Sequence, residues 1–143
     1  MRVVGFNLSK ITAERFKELN ENIKFNTKID IGSISPFKSE VIKGKDELIN
    51  IEFVYAVLYE PEFAKIEFKG NIILSAEPKV AREILKGFKE HGSSEDFRIF
   101  ILNVIFRKAN IRALQLEDEL GLPPHIPLAT LRKDQFKQQE KKE

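Results

Sequence analysis

The chain has 143 residues, 42% of them hydrophobic and 32% charged, which suits one domain with a real core and excludes a disordered or membrane-embedded protein. Lys and Arg number 24 against 22 Asp and Glu, a net charge of +2 that is too balanced for electrostatics alone to point to nucleic acid. The absence of cysteine excludes disulfides, thiolate metal sites and cysteine nucleophiles.

The N-terminus lacks the apolar run and small-residue cleavage site of a signal peptide, and no stretch is apolar enough to span a bilayer. A cytoplasmic location is therefore expected. Plentiful Lys, Glu and Ile with no Cys also matches thermophile usage.

In chain order, Val4, Phe6 and Leu8 alternate with Gly5, Asn7 and Ser9, which predicts a first strand running through Ile11. Thr12 to Asn22 is polar except for Phe16 and Leu19, and reads as one or two helical turns or as an irregular crossover. Phe25, Thr27, Ile29 and Ile31 alternate with Asn26, Lys28 and Asp30, a second strand. Pro36 interrupts it, because proline cannot donate to a ladder and belongs at an edge or a bulge, and Glu40 to Ile42 would resume it.

Leu48 to Ser75 reads as an antiparallel hairpin and as the centre of the fold. Ile49, Ile51, Phe53, Tyr55, Val57 and Tyr59 share one face of the first arm, and Ala64, Ile66, Phe68, Ile72 and Leu74 share one face of the second. Glu60-Pro61-Glu62 is the turn.

From Pro78 the period changes to that of a helix. Val80, Ile84, Leu85 and Phe88 form one face, with Pro78 in the first turn and His91-Gly92 as the stop. Ser93 and Ser94 before Glu95 and Asp96 mark a second helix start, hydroxyl caps followed by acids at the positive end of the dipole. The segment from Phe97 to Phe106 is apolar on every side. A buried strand would also suit such a run, but the capped start, the length, the spacing Ala109, Ala113, Leu116, Leu120 and the Gly121, Pro123 stop favour one long helix.

A helix apolar all round needs cover on more than one side, and each large side chain left in water forfeits roughly 1.5–3 kcal/mol. The missing cover is assigned to another subunit, with Phe97, Phe100, Ile101, Val104 and Ile105 as the oligomer interface. Leu122 to Leu128 carries Pro123, Pro124 and Pro127 and is a stiff extended loop. Leu131 to Gln139 is a polar helix, and about residues 138–143 are expected to fray. The expected architecture is thus a single α+β domain over residues 1–143, a four-stranded antiparallel sheet with a long apolar helix on one face and a short C-terminal helix.

The inventory for catalysis is poor. His91 and His125 lack partners at metal-ligand spacing and read as surface or capping residues; no metal or cofactor is expected. Ser93 and Ser94 lack the context of a nucleophile. Glu117-Asp118-Glu119 reads as a solvated acidic face, and an enzyme is not expected. Arg107, Lys108, Arg112, Lys133, Lys137, Lys141 and Lys142 supply positive charge, with Tyr59 or Phe63 as stacking partners, but Asp134, Glu140 and Glu143 interrupt the tail. Single-stranded nucleic-acid binding therefore ranks behind a protein-binding function. The surplus is apolar: twelve phenylalanines, with Phe16, Phe37 and Phe136 in polar segments, where they either pin loops or line a groove.

The order of elements resembles the SecB export-chaperone family and its archaeal and toxin–antitoxin-associated relatives. The resemblance is carried by Ile29-Asp30-Ile31, Ile49-Asn50-Ile51-Glu52-Phe53 through Tyr59, Lys65-Ile66-Glu67-Phe68, and Leu122-Pro123-Pro124 through Leu128. It implies a homotetramer, a dimer of dimers with long helices sandwiched between sheets, and ATP-independent binding of unfolded polypeptide in apolar grooves. The implied groove residues are Phe16 and Leu19 in the crossover, Ile126 and Leu128 in the proline loop, and Leu131 and Phe136 on the last helix. An adaptor for one dedicated protein, such as an antitoxin, is the alternative within the same fold. Lys65 and Lys69 flank Glu67, which argues against docking on a SecA-type motor. The Pro78 to Glu90 helix is longer than the family's usual connection, and would cap a sheet edge or part of the groove.

Overall fold

Strand-period sequence gives way to helix-period sequence near Pro78, and the chain divides there into a sheet and the helices that cover it. The computed structural model describes residues 1–18, 22–39, 44–90, 92–130 and 132–142. Among the described residues the elements are β1 (Arg2–Arg15), β2 (Lys24–Phe37), β3 (Glu47–Glu60), β4 (Ala64–Ala76), α1 (Pro78–Lys89), α2 (Glu95–Glu119) and α3 (Lys133–Lys142). Leu19, His91, Leu131 and the Glu40 to Ile42 continuation of β2 lie outside the described residues.

The four strands pair antiparallel in the order β1-β4-β3-β2, so the hairpin occupies the centre and the first two strands are the edges. The register places Ile49, Ile51, Phe53, Tyr55, Val57 and Tyr59 opposite Leu74, Ile72, Gly70, Phe68, Ile66 and Ala64, and all of them are buried. This is the face that the helices cover. The other face carries Glu52, Lys65, Glu67, Lys69 and Asn71, with Lys65 Nζ 3.1 Å from Glu67 Oε2.

Three boundaries differ from the sequence expectation. β1 continues through Thr12–Arg15, because Thr12 and Ala13 pair with Glu67 and Ile66 of the long β4; the ladder outweighs the weak helical spacing of Phe16 and Leu19. β2 runs past Pro36 to Phe37, which the edge position allows, since an outward-facing missing N–H breaks no ladder bond. A register shift between Ile31 and Ser33, a bulge around Gly32, absorbs the break in alternation. α3 extends to Lys142, in line with the helix propensity of its Gln, Glu and Lys residues.

Helix α2 begins where its caps dictate: Ser94 Oγ accepts the Phe97 N–H at 3.2 Å, and Glu95 and Asp96 fill the first turn. It ends in a Schellman motif. Gly121 takes φ 66°, and the N–H groups of Gly121 and Leu122 return to the carbonyls of Asp118 (3.2 Å) and Glu117 (2.8 Å). Its buried residues are Phe97, Ile101, Ile105, Ala109, Ala113, Leu116 and Glu117. A step of four residues turns about 400°, so this line drifts about 40° per step around the helix. A different face therefore meets the sheet at each end, and the two alanines let the backbone come close where Tyr55 and Phe68 stack, ring centroids 5.6 Å apart. α1 lies on the same face of the sheet against β2 and β3, burying Ala81 and Ile84.

The drift resolves part of the puzzle of an all-apolar helix. Phe97, Ile101 and Ile105 belong to the chain's own core, at 6%, 0% and 0% exposure, and have no surface to offer a neighbour. Phe100, Leu102 and Val104 are half-buried, while Ile99, Phe106 and Ile111 are exposed. The apolar surface that α2 leaves uncovered thus lies on Phe100, Val104 and these exposed neighbours. The sheet can touch only one stripe of the helix at each level.

Candidate functional site

Between the outer strand and the helix layer runs an open cleft of about 370 Å³, lined by Ile29, Asp30, Ile31 and Ile34 of β2, Phe88 of α1, Ser93, and Phe97, Arg98 and Leu102 of α2. The period of two in β2 brings Ile29 and Ile31 onto the covered face, and the bulge at Gly32 keeps Ile34 on it too. Helical spacing supplies the opposite wall, Phe97 and Leu102 from α2 and Phe88 from the last turn of α1. Ile29, Ile31, Phe88 and Leu102 are only half-buried in the free chain. The cleft is thus a trough of mixed character, six apolar side chains with one cation, Arg98, one carboxylate, Asp30, and the Ser93 hydroxyl on its lining.

None of the groove residues inferred from the sequence lines this trough. Phe16, Leu128 and Phe136 are each at least half exposed, and Ile126 is half-buried. Phe136 stands with Lys133 and Lys137 on α3, whose described side chains are all exposed, and beside Arg132 just before it. Leu19 and Leu131 lie outside the described residues. The strand that supplies Ile29 and Ile31 is legible in the sequence. Pro36 points to an edge or a bulge, and the Pro78 to Glu90 helix to cover over a sheet edge or the groove; that α1 and α2 together roof β2 is not legible there.

A second cluster is polar and closed. Glu117, in the last turn of α2, is 1% exposed, and its carboxylate pairs with His125 Nδ1 while also accepting the His125 backbone N–H at 3.3 Å. The other ring nitrogen of His125 lies 3.0 Å from the Tyr55 hydroxyl and 3.1 Å from Asn110 Oδ1. Tyr55 donates to Asn110 Oδ1 at 2.5 Å, and Tyr59 donates to the Pro123 carbonyl at 2.7 Å. Burial, and then the nearby Glu117 carboxylate, push both tyrosine hydroxyls well above the usual phenol range.

This corrects two sequence readings. Glu117 is not part of a solvated acidic face, and His125 is neither a surface residue nor a cap. The Schellman turn reverses the chain so that the proline loop folds back over the helix end, bringing residues eight apart into contact. The cluster clasps Leu122 to His125 onto β3 and α2. It lies inside the core, so its chemistry is structural. Among the described residues no three His, Asp or Glu side chains converge as a metal site, and no helix is long and apolar enough to cross a membrane.

A four-stranded antiparallel sheet in this order, followed by a long helix, a proline loop and a terminal helix, is the SecB-like α+β fold. The chain is similar over 92% of its length, and over 91% of the other chain, to the SecB-like chaperone Rv1957 of Mycobacterium tuberculosis, solved in complex with a ChAD peptide from the HigA1 antitoxin Rv1956; the TM-score is 0.53 and the identity 12%. No protein-family model matches the chain, and no curated protein matches it by sequence.

Proposed function

We propose that this protein is an ATP-independent, SecB-like cytoplasmic chaperone that holds extended or unfolded polypeptide in the cleft between β2 and the two helices. The observation that carries the reading is the trough itself: half-buried Ile29, Ile31, Phe88 and Leu102 in a free chain, with no shaped polar pocket among them. Such a trough rewards apolar area rather than one side-chain shape, which tolerates many client sequences. The similar Mycobacterium tuberculosis chaperone was solved with a bound peptide, which supports polypeptide as the ligand class. Exposed Phe16, Leu128 and Phe136 with Ile126 then serve as outlying contacts for long clients. The exposed stripe of α2 joins protomers into a homo-oligomer, on the family pattern a tetramer built as a dimer of dimers.

The test is suppression of aggregation of a chemically denatured client by the purified protein without nucleotide. Ile31→Lys with Leu102→Lys is expected to abolish suppression while the far-ultraviolet circular dichroism stays native. Aggregation that proceeds unchanged at several-fold oligomer excess refutes the reading. A dedicated adaptor is the second reading, favoured by the similar chaperone, whose bound peptide comes from one antitoxin. It is distinguished by saturable binding of one partner segment together with failure to protect unrelated denatured clients.

A further inference from the structure

We infer that the cavity between α1 and the start of α2 is a binding site for a small amphipathic cation, an amine with an apolar body and a single positive charge. It adjoins the trough, sharing Phe97 and Ser93 with it, and takes a different class of ligand.

Helical spacing builds one wall: Val80, Glu83 and Ile84 fall at i, i+3 and i+4 and share a face of α1. The connection to α2 is held against that helix by the Gly92 N–H, which donates to the Gly87 carbonyl at 2.7 Å. Gly87 permits this approach, because a Cβ there would stand 3.3 Å from both the Gly92 carbonyl oxygen and Ser93 Cα. Phe97, in the first turn of α2, and Met1, just before β1, complete the lining. The space is about 380 Å³. That is room for roughly a dozen non-hydrogen atoms at about 30 Å³ for one water molecule, and it lies low in the range of small-molecule sites.

The chemistry of the lining selects the ligand. Met1, Val80, Ile84 and Phe97 are apolar, and Glu83 and Asp96 are carboxylates. No Lys or Arg side chain lines the cavity, and among the described residues neither carboxylate is ion-paired to a side chain or to the N-terminus. An anion is disfavoured even at this helix N-terminus. Ser94 Oγ already accepts the Phe97 N–H, and Glu95 and Asp96 fill the positive end of the dipole. A neutral apolar molecule would gain nothing from the two carboxylates. A cation with an apolar body uses the whole lining, its hydrocarbon against Val80, Ile84 and Phe97 and its ammonium donating to Glu83 and Asp96.

The probe is phenethylamine, with phenethyl alcohol as its neutral counterpart, phenylacetate as the anion and methylammonium as the charge without the body. Titrated into the full-length protein and followed by amide chemical shifts, phenethylamine should saturate one site with a dissociation constant of about 1 mM or lower. The shifts should centre on Val80, Ile84 and Gly92 to Phe97. Phenethyl alcohol should bind about fivefold more weakly at low salt, and the gap should narrow as salt is raised. Phenylacetate and methylammonium should show no saturation. Glu83→Gln with Asp96→Asn should remove the advantage of the amine over the alcohol, with alcohol binding and the circular dichroism unchanged.

Failure of phenethylamine to saturate below about 10 mM overturns the site. So does an amine advantage that survives Glu83→Gln with Asp96→Asn, and so do shifts that centre on Ile29, Ile31 and Leu102 of the trough instead. Val80→Trp, which fills the cavity, should abolish binding of amine and alcohol alike in a protein of native circular dichroism, and retained binding rejects the location. A capped Phe-Lys dipeptide that shifts the same residues and binds more than about tenfold tighter than phenethylamine assigns the cavity to a protein partner and overturns the small-ligand site.

Discussion

Replacing Glu117 by Gln should be among the most damaging single-atom changes available in this chain. The carboxylate is almost wholly buried and satisfies two donors of one residue, the ring Nδ1 and the backbone N–H of His125. Glutamine keeps the volume but has a single acceptor oxygen, and its amide would face an N–H group. One buried hydrogen-bonding group is left unpaired. That costs about 1–3 kcal/mol, and burial this complete places the variant near the upper end, about 3.

For a domain of this size that is about 10 °C in melting temperature, at roughly 2–4 °C per kcal/mol. Urea and thermal unfolding, run at one fixed protomer concentration because association shifts both midpoints, measure it. Glu117→Leu combined with His125→Leu removes both partners together and should recover most of the loss, since apolar replacement of a whole buried pair is often neutral or better. Amide hydrogen exchange should show Leu122 and His125 losing protection first. Glu117→Gln within about 0.5 kcal/mol of the parent would refute the account of the clasp.

The other predictions concern the tyrosines, the sheet and the outer surface of α2. Both tyrosines of the chain are buried and hold their protons above the unfolded phenol range near 10, so the folded state binds protons that the unfolded state releases. Their contribution is whole below about pH 10 and is lost as pH rises above it; tyrosinate absorbance should appear only together with unfolding, and tyrosinate in a chain with native circular dichroism rejects this. Gly70→Ala would drive a methyl into the Asn7 carbonyl oxygen, with the Phe53 ring at 3.0 Å and Leu8 at 3.1 Å, and should cost about 1–3 kcal/mol in urea unfolding. Ile99→Lys with Phe106→Lys should lower the oligomer mass seen by light scattering while changing protomer stability by less than about 0.5 kcal/mol, and an unchanged mass would remove α2 as an interface.

What the amino-acid sequence determined by itself was local. The hairpin arms follow from period-two alternation, the start of α2 from Ser94, Glu95 and Asp96, and its end from Gly121 before Pro123. Each depends on residues within a turn or two of one another. Thr12 to Arg15 shows the limit, because its state was decided by the facing stretch of β4, about fifty positions away. The same holds for the strand order that leaves β2 at an edge, for the trough that α1 and α2 roof over it, and for the burial of Glu117 and His125. Those outcomes depend on which distant surfaces close on one another. A pattern of neighbours states which face is apolar; only the packed chain settles what covers it.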